Sequence, residues 1–101
     1  MFAAARTLLH IEGAQRNLYL YDTYSGMSAP TAEDVRFHDG VSAAEFLLDK
    51  SEKHAHCIAG LQVVKDTMAL SGYNAGMLHF IQGKVEDTIP AIIPKQIALL
   101  R

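Results

Sequence analysis

The chain has a single cysteine, Cys57, and no tryptophan among its 101 residues. One cysteine permits no internal disulfide, which is typical of proteins from a reducing compartment. Seven glycines and three prolines are too few for a collagen-like or low-complexity chain. We therefore expect a cytoplasmic protein with a folded core, and a chain of this length has room for one domain.

An excess of charge of one sign is also missing. Nine basic residues stand against eleven acidic ones, for a formal net charge of -2. Without a basic cluster there is no electrostatic footprint for nucleic acid or for an anionic membrane. No apolar run approaches the ~20 residues of a membrane-spanning helix, and no basic residue precedes the short apolar run at residues 2–5 as it would in a signal peptide. We expect neither nucleic acid nor membrane as a partner.

Hydrophobic residues make up half of the chain, and their spacing predicts alternating helices and strands. Helices are predicted over 2–12, about 42–52 and 58–71, with strands over 18–22, 77–81 and 96–101 and a lid loop over 23–40. Gly13 is placed to end the first helix, and Ser42 with Glu45 forms a potential capping box for the second. A short helical turn is predicted over 85–89. This order predicts an α/β fold with an open, doubly wound sheet.

Ligands of doubly wound sheets bind beyond the carboxyl ends of the strands, which here draws attention to Asp22 and Gly83. A carboxylate in the position of Asp22 can accept hydrogen bonds from the ribose diol of a nucleotide-like cofactor. A glycine at 83 would let the backbone approach an adenine ring closely. Four residues would then line that ring or face its exocyclic amine: Lys84, Val85, Glu86 and Asp87.

Plainer interpretations exist for these residues. Aspartate and glycine are both common in turns that follow strands. The run of His54, His56 and Cys57 contains zinc-type ligands, but no second cluster stands at a usable spacing. An exposed link that leads into a helix explains that run more simply, and no metal ligand is assigned.

Three stretches of the sequence, taken together, have a distinctive pattern. Residues 18–31 read LYLYDTYSGMSAPT, residues 83–90 read GKVEDTIP, and residues 97–101 read IALLR. This pattern resembles the macrocin O-methyltransferase family, and the likeness extends over essentially the whole chain. That family consists of class I S-adenosylmethionine-dependent methyltransferases, many of which methylate sugar hydroxyls of natural products with help from a divalent metal such as Mg²⁺.

The resemblance implies an O-methyltransferase that acts on a sugar or natural-product hydroxyl. It implies that Asp22 and Thr23 lie on the ribose side of the cofactor. It also implies that the adenine-side loop contains Gly83, Lys84, Val85 and Asp87.

The family has further parts that would lie outside this sequence, namely a first strand with a glycine-rich loop before Met1 and the metal ligands beyond Arg101. The resemblance therefore implies a partial Rossmann-like, three-layer sandwich that lacks the first strand and everything after the fourth. We expect such an internal fragment to be inactive alone, and its exposed sheet edges would favour self-association. The alternative is a small non-enzymatic α/β interaction or regulatory module that a partner chain completes.

Overall fold

The structure, a computed structural model, describes residues 1–48 and 58–100. These residues form a small α/β domain with a two-stranded parallel sheet and four helices. The elements in chain order are α1 (Phe2–Glu12), β1 (Leu18–Asp22), α2 (Ala43–Leu48), α3 (Leu61–Ala69), β2 (Leu78–Gln82) and α4 (Val85–Thr88), with a 3₁₀ turn at Ala75–Met77. The chain divides into two compact units. The first unit consists of Met1–Tyr24 together with Leu61–Arg101, and the second unit is Ser25–Gly60.

The sheet belongs to the first unit, and its register decides which side chains enter the core. Leu18 lies opposite Leu78, and Asp22 lies opposite Gln82. Because side chains alternate along a strand, Leu20 and its neighbours two residues away share one face, which packs with α1 and α3. The buried cluster on this face consists of Ala5, Leu20, Met68 and Tyr73, surrounded by partly buried residues that include Leu8, Leu9, Leu18, Val64, Leu78 and Phe80.

The other face of the sheet is only partly covered. Tyr19 stacks on His79 with 4.6 Å between the ring centroids, and the Nε2 atom of His79 lies 2.7 Å from Oδ1 of Asn17. The hydroxyl of Tyr21 donates a hydrogen bond of 2.5 Å to the carbonyl of Ile92. Tyr19 and Tyr21 are half-buried, whereas Ile81 on the same face is buried.

The predicted helix signals operate as expected. Gly13 has a φ of 71°, a conformation that favours glycine, and its N–H closes α1 on the carbonyl of Leu9 at 3.2 Å. The capping box before α2 is reciprocal. The backbone N–H of Glu45 donates to the hydroxyl of Ser42 at 3.2 Å, and the N–H of Ser42 donates to the Glu45 carboxylate at 3.3 Å.

Element bounds follow the sequence closely in most places. The first helix and first strand occupy the predicted residues, the third helix is shorter at both ends than 58–71, and the second strand is displaced by one residue from 77–81. The second helix begins one residue after the predicted 42, and its predicted end, residues 49–52, lies outside the described residues. The predicted turn over 85–89 is the short helix α4.

The strand predicted over 96–101 is wrong over residues 96–100, which carry no regular structure, and Arg101 lies outside the described residues. A strand exists only when its backbone groups pair with a neighbour, and among the residues that the structure describes β1 and β2 pair only with each other. The apolar side chains of Ile97, Leu99 and Leu100 are accordingly exposed. Apolar character favours a strand, but a ladder partner is needed to form one.

The second unit contains an ordered turn within the predicted loop. An antiparallel bridge pairs Val35 with Ser42. Between them, Arg36 donates from Nε and Nη2 to the Asp39 carboxylate at 2.9 Å and 2.7 Å. The same carboxylate accepts the N–H of Val41 at 3.2 Å. The hydrogen bonds from Arg36, followed by that from Val41, hold the pKa of Asp39 below its usual value.

This turn should respond to acid. Because the folded pKa of Asp39 is depressed, its stabilisation is present above the ordinary aspartate pKa of about 3.9 and is lost as pH falls through the lower folded value. We expect the amide chemical shift and exchange rate of Val41 to change between about pH 5 and pH 2. In Asp39→Asn the response should disappear, and a response that persisted would mean another group is responsible.

The position of the core can be tested with two substitutions in α3. Met68 is 2% exposed whereas Val63, also on α3, is 61% exposed. We expect Met68→Ala to lower the free energy of unfolding by about 2–4 kcal/mol, since it leaves a cavity. The matched Val63→Ala should change it by about 0.5 kcal/mol or less. Urea unfolding followed by circular dichroism measures both, and equal losses would show that the core lies elsewhere.

Candidate functional site

The carboxyl ends of β1 and β2 meet at one edge of the sheet. Asp22 and Gln82 are the last register pair, and the N–H of Gly83 donates to the carbonyl of Asp22 at 3.0 Å. The side-chain amide of Gln82 reaches the carbonyl of Thr23 at 3.4 Å. The parallel pairing thus brings Asp22, Thr23 and Gly83, which are far apart in sequence, to the same edge.

Asp22 is exposed at this edge, and a turn holds its carboxylate. Oδ1 accepts the backbone N–H of Tyr24 at 3.0 Å and the hydroxyl of Thr23 at 3.4 Å. A hydrogen bond from an aspartate side chain to the N–H two residues on is an Asx turn. Asp22 is therefore a turn residue, as the plainer interpretation predicts. The same bond also orients the carboxylate at the edge.

Gly83 has a structural requirement of its own. Its φ is 144°, a region that only glycine adopts readily. A Cβ built at this position would lie 2.7 Å from Cγ2 of Thr88 in α4. The missing side chain is therefore explained by the packing of α4, and close approach of an adenine ring is not needed to account for it.

The remaining predicted residues belong to α4 and the link before it. Lys84 precedes the helix, and its carbonyl accepts three hydrogen bonds of 3.0 Å from Asp87 and Thr88. Val85 is 49% exposed, and Lys84, Glu86 and Asp87 are exposed as well. Next to the Asp22 edge the structure thus presents an exposed apolar side chain together with carboxylates in the first turn of α4.

Tyr24 is the residue at this edge that sequence reasoning missed. It is 7% exposed, and its hydroxyl donates to the carbonyl of Leu20 at 2.8 Å. Burial, and then the nearby charge of Asp22, raise the pKa of its phenol. The only signal in the sequence is an aromatic residue two positions after the aspartate, and this does not reveal that Tyr24 has a positive φ of 55°.

The exposed groups at this edge are of types that can contact a nucleoside. An exposed carboxylate can accept from a diol, and an exposed valine can contact a base. Within residues 1–48 and 58–100, no three side chains of the metal-binding types converge. The run of His54, His56 and Cys57 lies outside these residues.

No protein-family model, curated protein or solved structure matches the chain. In the part that the structure describes, no helix combines the length and apolar character needed to cross a membrane.

The packing of Gly83 against Thr88 can be tested by a pair of variants. We expect Gly83→Ala to lower the free energy of unfolding by about 2–4 kcal/mol, from the contact with Thr88 together with the strained φ. Thr88→Ser removes the contacting methyl and keeps the hydroxyl that donates to Lys84.

In the Thr88→Ser background the cost of Gly83→Ala should fall to about 1–2 kcal/mol, because only the backbone strain remains. Chemical denaturation of the four proteins measures the difference. The same cost in both backgrounds would refute the contact.

Proposed function

We propose that this chain carries the ribose and adenine side of an S-adenosylmethionine site, as part of an O-methyltransferase that acts on a sugar or natural-product hydroxyl. The observation that carries the proposal is the meeting of Asp22 and Gly83 at one carboxyl edge of a parallel strand pair, through the 3.0 Å hydrogen bond between their backbones. Such edges are where open α/β sheets bind nucleotides. The resemblance of residues 18–31 and 83–90 to the macrocin O-methyltransferase family supports the same assignment.

We assign the ribose contact to Asp22. An ionised carboxylate accepts hydrogen bonds from two adjacent hydroxyls, and a charged acceptor makes such bonds stronger than a neutral one. The Asx turn with Tyr24 holds Oδ1 in place, so less side-chain freedom is lost when a diol binds. Thr23, which follows directly, is the neighbour on the ribose side.

The adenine contact falls to the link and first turn after β2. Val85 is exposed beside Lys84 and offers an apolar surface for one side of the base. Asp87 and Glu86 lie in the first turn of α4 and can accept from the exocyclic amine. Gly83 connects this group to β2 and, through its N–H, to Asp22.

When bound, the cofactor supplies an electrophilic methyl group for transfer to the acceptor hydroxyl. The residues at this edge bind and orient the nucleoside end of the cofactor, and none of them is assigned to the reacting atoms. We therefore expect the 101-residue chain to bind nucleosides weakly, with a dissociation constant in the millimolar range (about -4 kcal/mol), and to catalyse no methyl transfer.

Nucleoside binding can be tested with two ligands that differ only in the diol, adenosine and 2′,3′-dideoxyadenosine. NMR titration of the full chain should shift the amides of residues 22–24 and 83–87, with adenosine the tighter ligand. We expect the diol to contribute about 1.5–3 kcal/mol, which is roughly a 10- to 150-fold ratio of affinities. In Asp22→Ala the two ligands should bind equally weakly, because the carboxylate that distinguishes them is gone.

The matched control is Asp66→Ala. This removes an exposed carboxylate of the same unit, one that accepts from the Gln62 side chain at 2.8 Å. We expect the ratio of affinities to stay at its native value in the control. Equal affinity of the native chain for both nucleosides, or shifts confined to other residues, would refute the proposal. It would then leave the interaction module as the alternative.

A further inference from the structure

Tyr24 has an uncommon backbone conformation at the proposed nucleoside edge. Its φ is 55°, and it is the one residue other than glycine with a positive φ in the part of the chain that the structure describes. Bulky side chains avoid this region because Cβ crowds the following carbonyl, whereas glycine and asparagine enter it easily. Such a conformation persists only where the surroundings over-determine it.

Two contacts tie Tyr24 to the strand that it follows. Its hydroxyl donates to the carbonyl of Leu20 at 2.8 Å, which fastens the ring to the backbone of β1. Its N–H donates to Oδ1 of Asp22 at 3.0 Å. One residue thus joins the buried part of β1 to the exposed carboxylate at the strand end. The side chain of Tyr24 contacts the middle of β1, and its main chain contacts the last residue of that strand.

The burial of the ring is separate from the main core. Tyr24 is 7% exposed, yet it is not a member of the buried cluster that α1, α3 and the sheet share. The burial and the negative charge of Asp22 both raise the pKa of its phenol, in keeping with a neutral hydroxyl that donates to Leu20. The ring of Tyr24 therefore does not belong to the core beneath α1 and α3.

We propose that Tyr24 is a positioning residue, whose anchored ring and left-handed backbone hold the Asp22 carboxylate in the orientation that receives a ribose diol. The inference rests on the proposed function, since it deepens the role of Asp22. A glycine or asparagine at position 24 would allow the same turn without strain, but it would lack the ring that fastens the turn to Leu20. The hydroxyl of Tyr24 is therefore the group that keeps the Asp22 carboxylate in a fixed orientation.

The test uses Tyr24→Phe, which keeps the ring and removes the hydroxyl, in the full chain with the same two nucleosides. We expect adenosine to bind several-fold more weakly, while the affinity for 2′,3′-dideoxyadenosine stays within a factor of two, because that ligand has no diol for Asp22 to receive. A merely structural role would weaken both ligands alike, and that result would overturn the proposal. If Tyr24→Phe fails to fold, Tyr24→Gly, which also removes the ring, should show the same selective loss of adenosine affinity.

A second measurement needs no ligand. In the native chain the amide of residue 24 should be protected from hydrogen exchange, since Oδ1 of Asp22 accepts that N–H, and this amide response should be clearly smaller in Tyr24→Phe. An unchanged response would overturn the positioning role. If the native chain did not distinguish the two nucleosides, the proposed function would fail, whereas a reduced amide response would still show that Tyr24 orients Asp22.

Discussion

The parallel ladder between β1 and β2 is the constraint on which the rest of this structure depends. It puts Leu18 and Leu20 on the face that α1 and α3 cover, and it places Asp22 beside Gln82 at the carboxyl edge. A slip of one residue in this register would exchange the two faces of the strand, so that Tyr19 and Tyr21 would enter the core. A two-stranded sheet is marginal on its own, and the apolar contacts beneath the helices are what make the ladder stable.

The candidate site contains residues with local structural roles and the exposed carboxylate of Asp22. Gly83 is required by the methyl of Thr88, and Oδ1 of Asp22 is engaged by the N–H of Tyr24. Neither fact opposes nucleoside binding, because both rigidify the edge from which the carboxylate extends. Rigid groups at a binding edge lose less conformational entropy when a ligand arrives. The proposed nucleoside binding therefore depends on the orientation of one side chain, and the role we propose for Tyr24 is to set that orientation.

Much of the fold could be predicted from short patterns. The alanine-rich run that ends at Gly13, the apolar run that ends at Asp22, and the Ser42–Glu45 capping box each depend on a few neighbouring residues, and each is present in the structure. The strand predicted over 96–101 was wrong because its formation depends on a partner strand and not on its own composition. Tyr24 was missed for a related reason, since nothing in the residues around it distinguishes a left-handed tyrosine from an ordinary one.

The sequence by itself determined the bounds of α1 and β1 and the capping of α2, and it placed Asp22 and Gly83 at the carboxyl ends of the strands. Hydrophobic period and capping chemistry act over one or two turns of chain, so they can be read locally. Only the tertiary structure decided that β1 pairs with β2 in a register that joins Asp22 to Gly83, that Thr88 occupies the space beside Gly83, and that Tyr24 is fastened to Leu20. The strand pairing joins residues far apart in the chain, whereas the other two contacts join near neighbours that the folded backbone brings together.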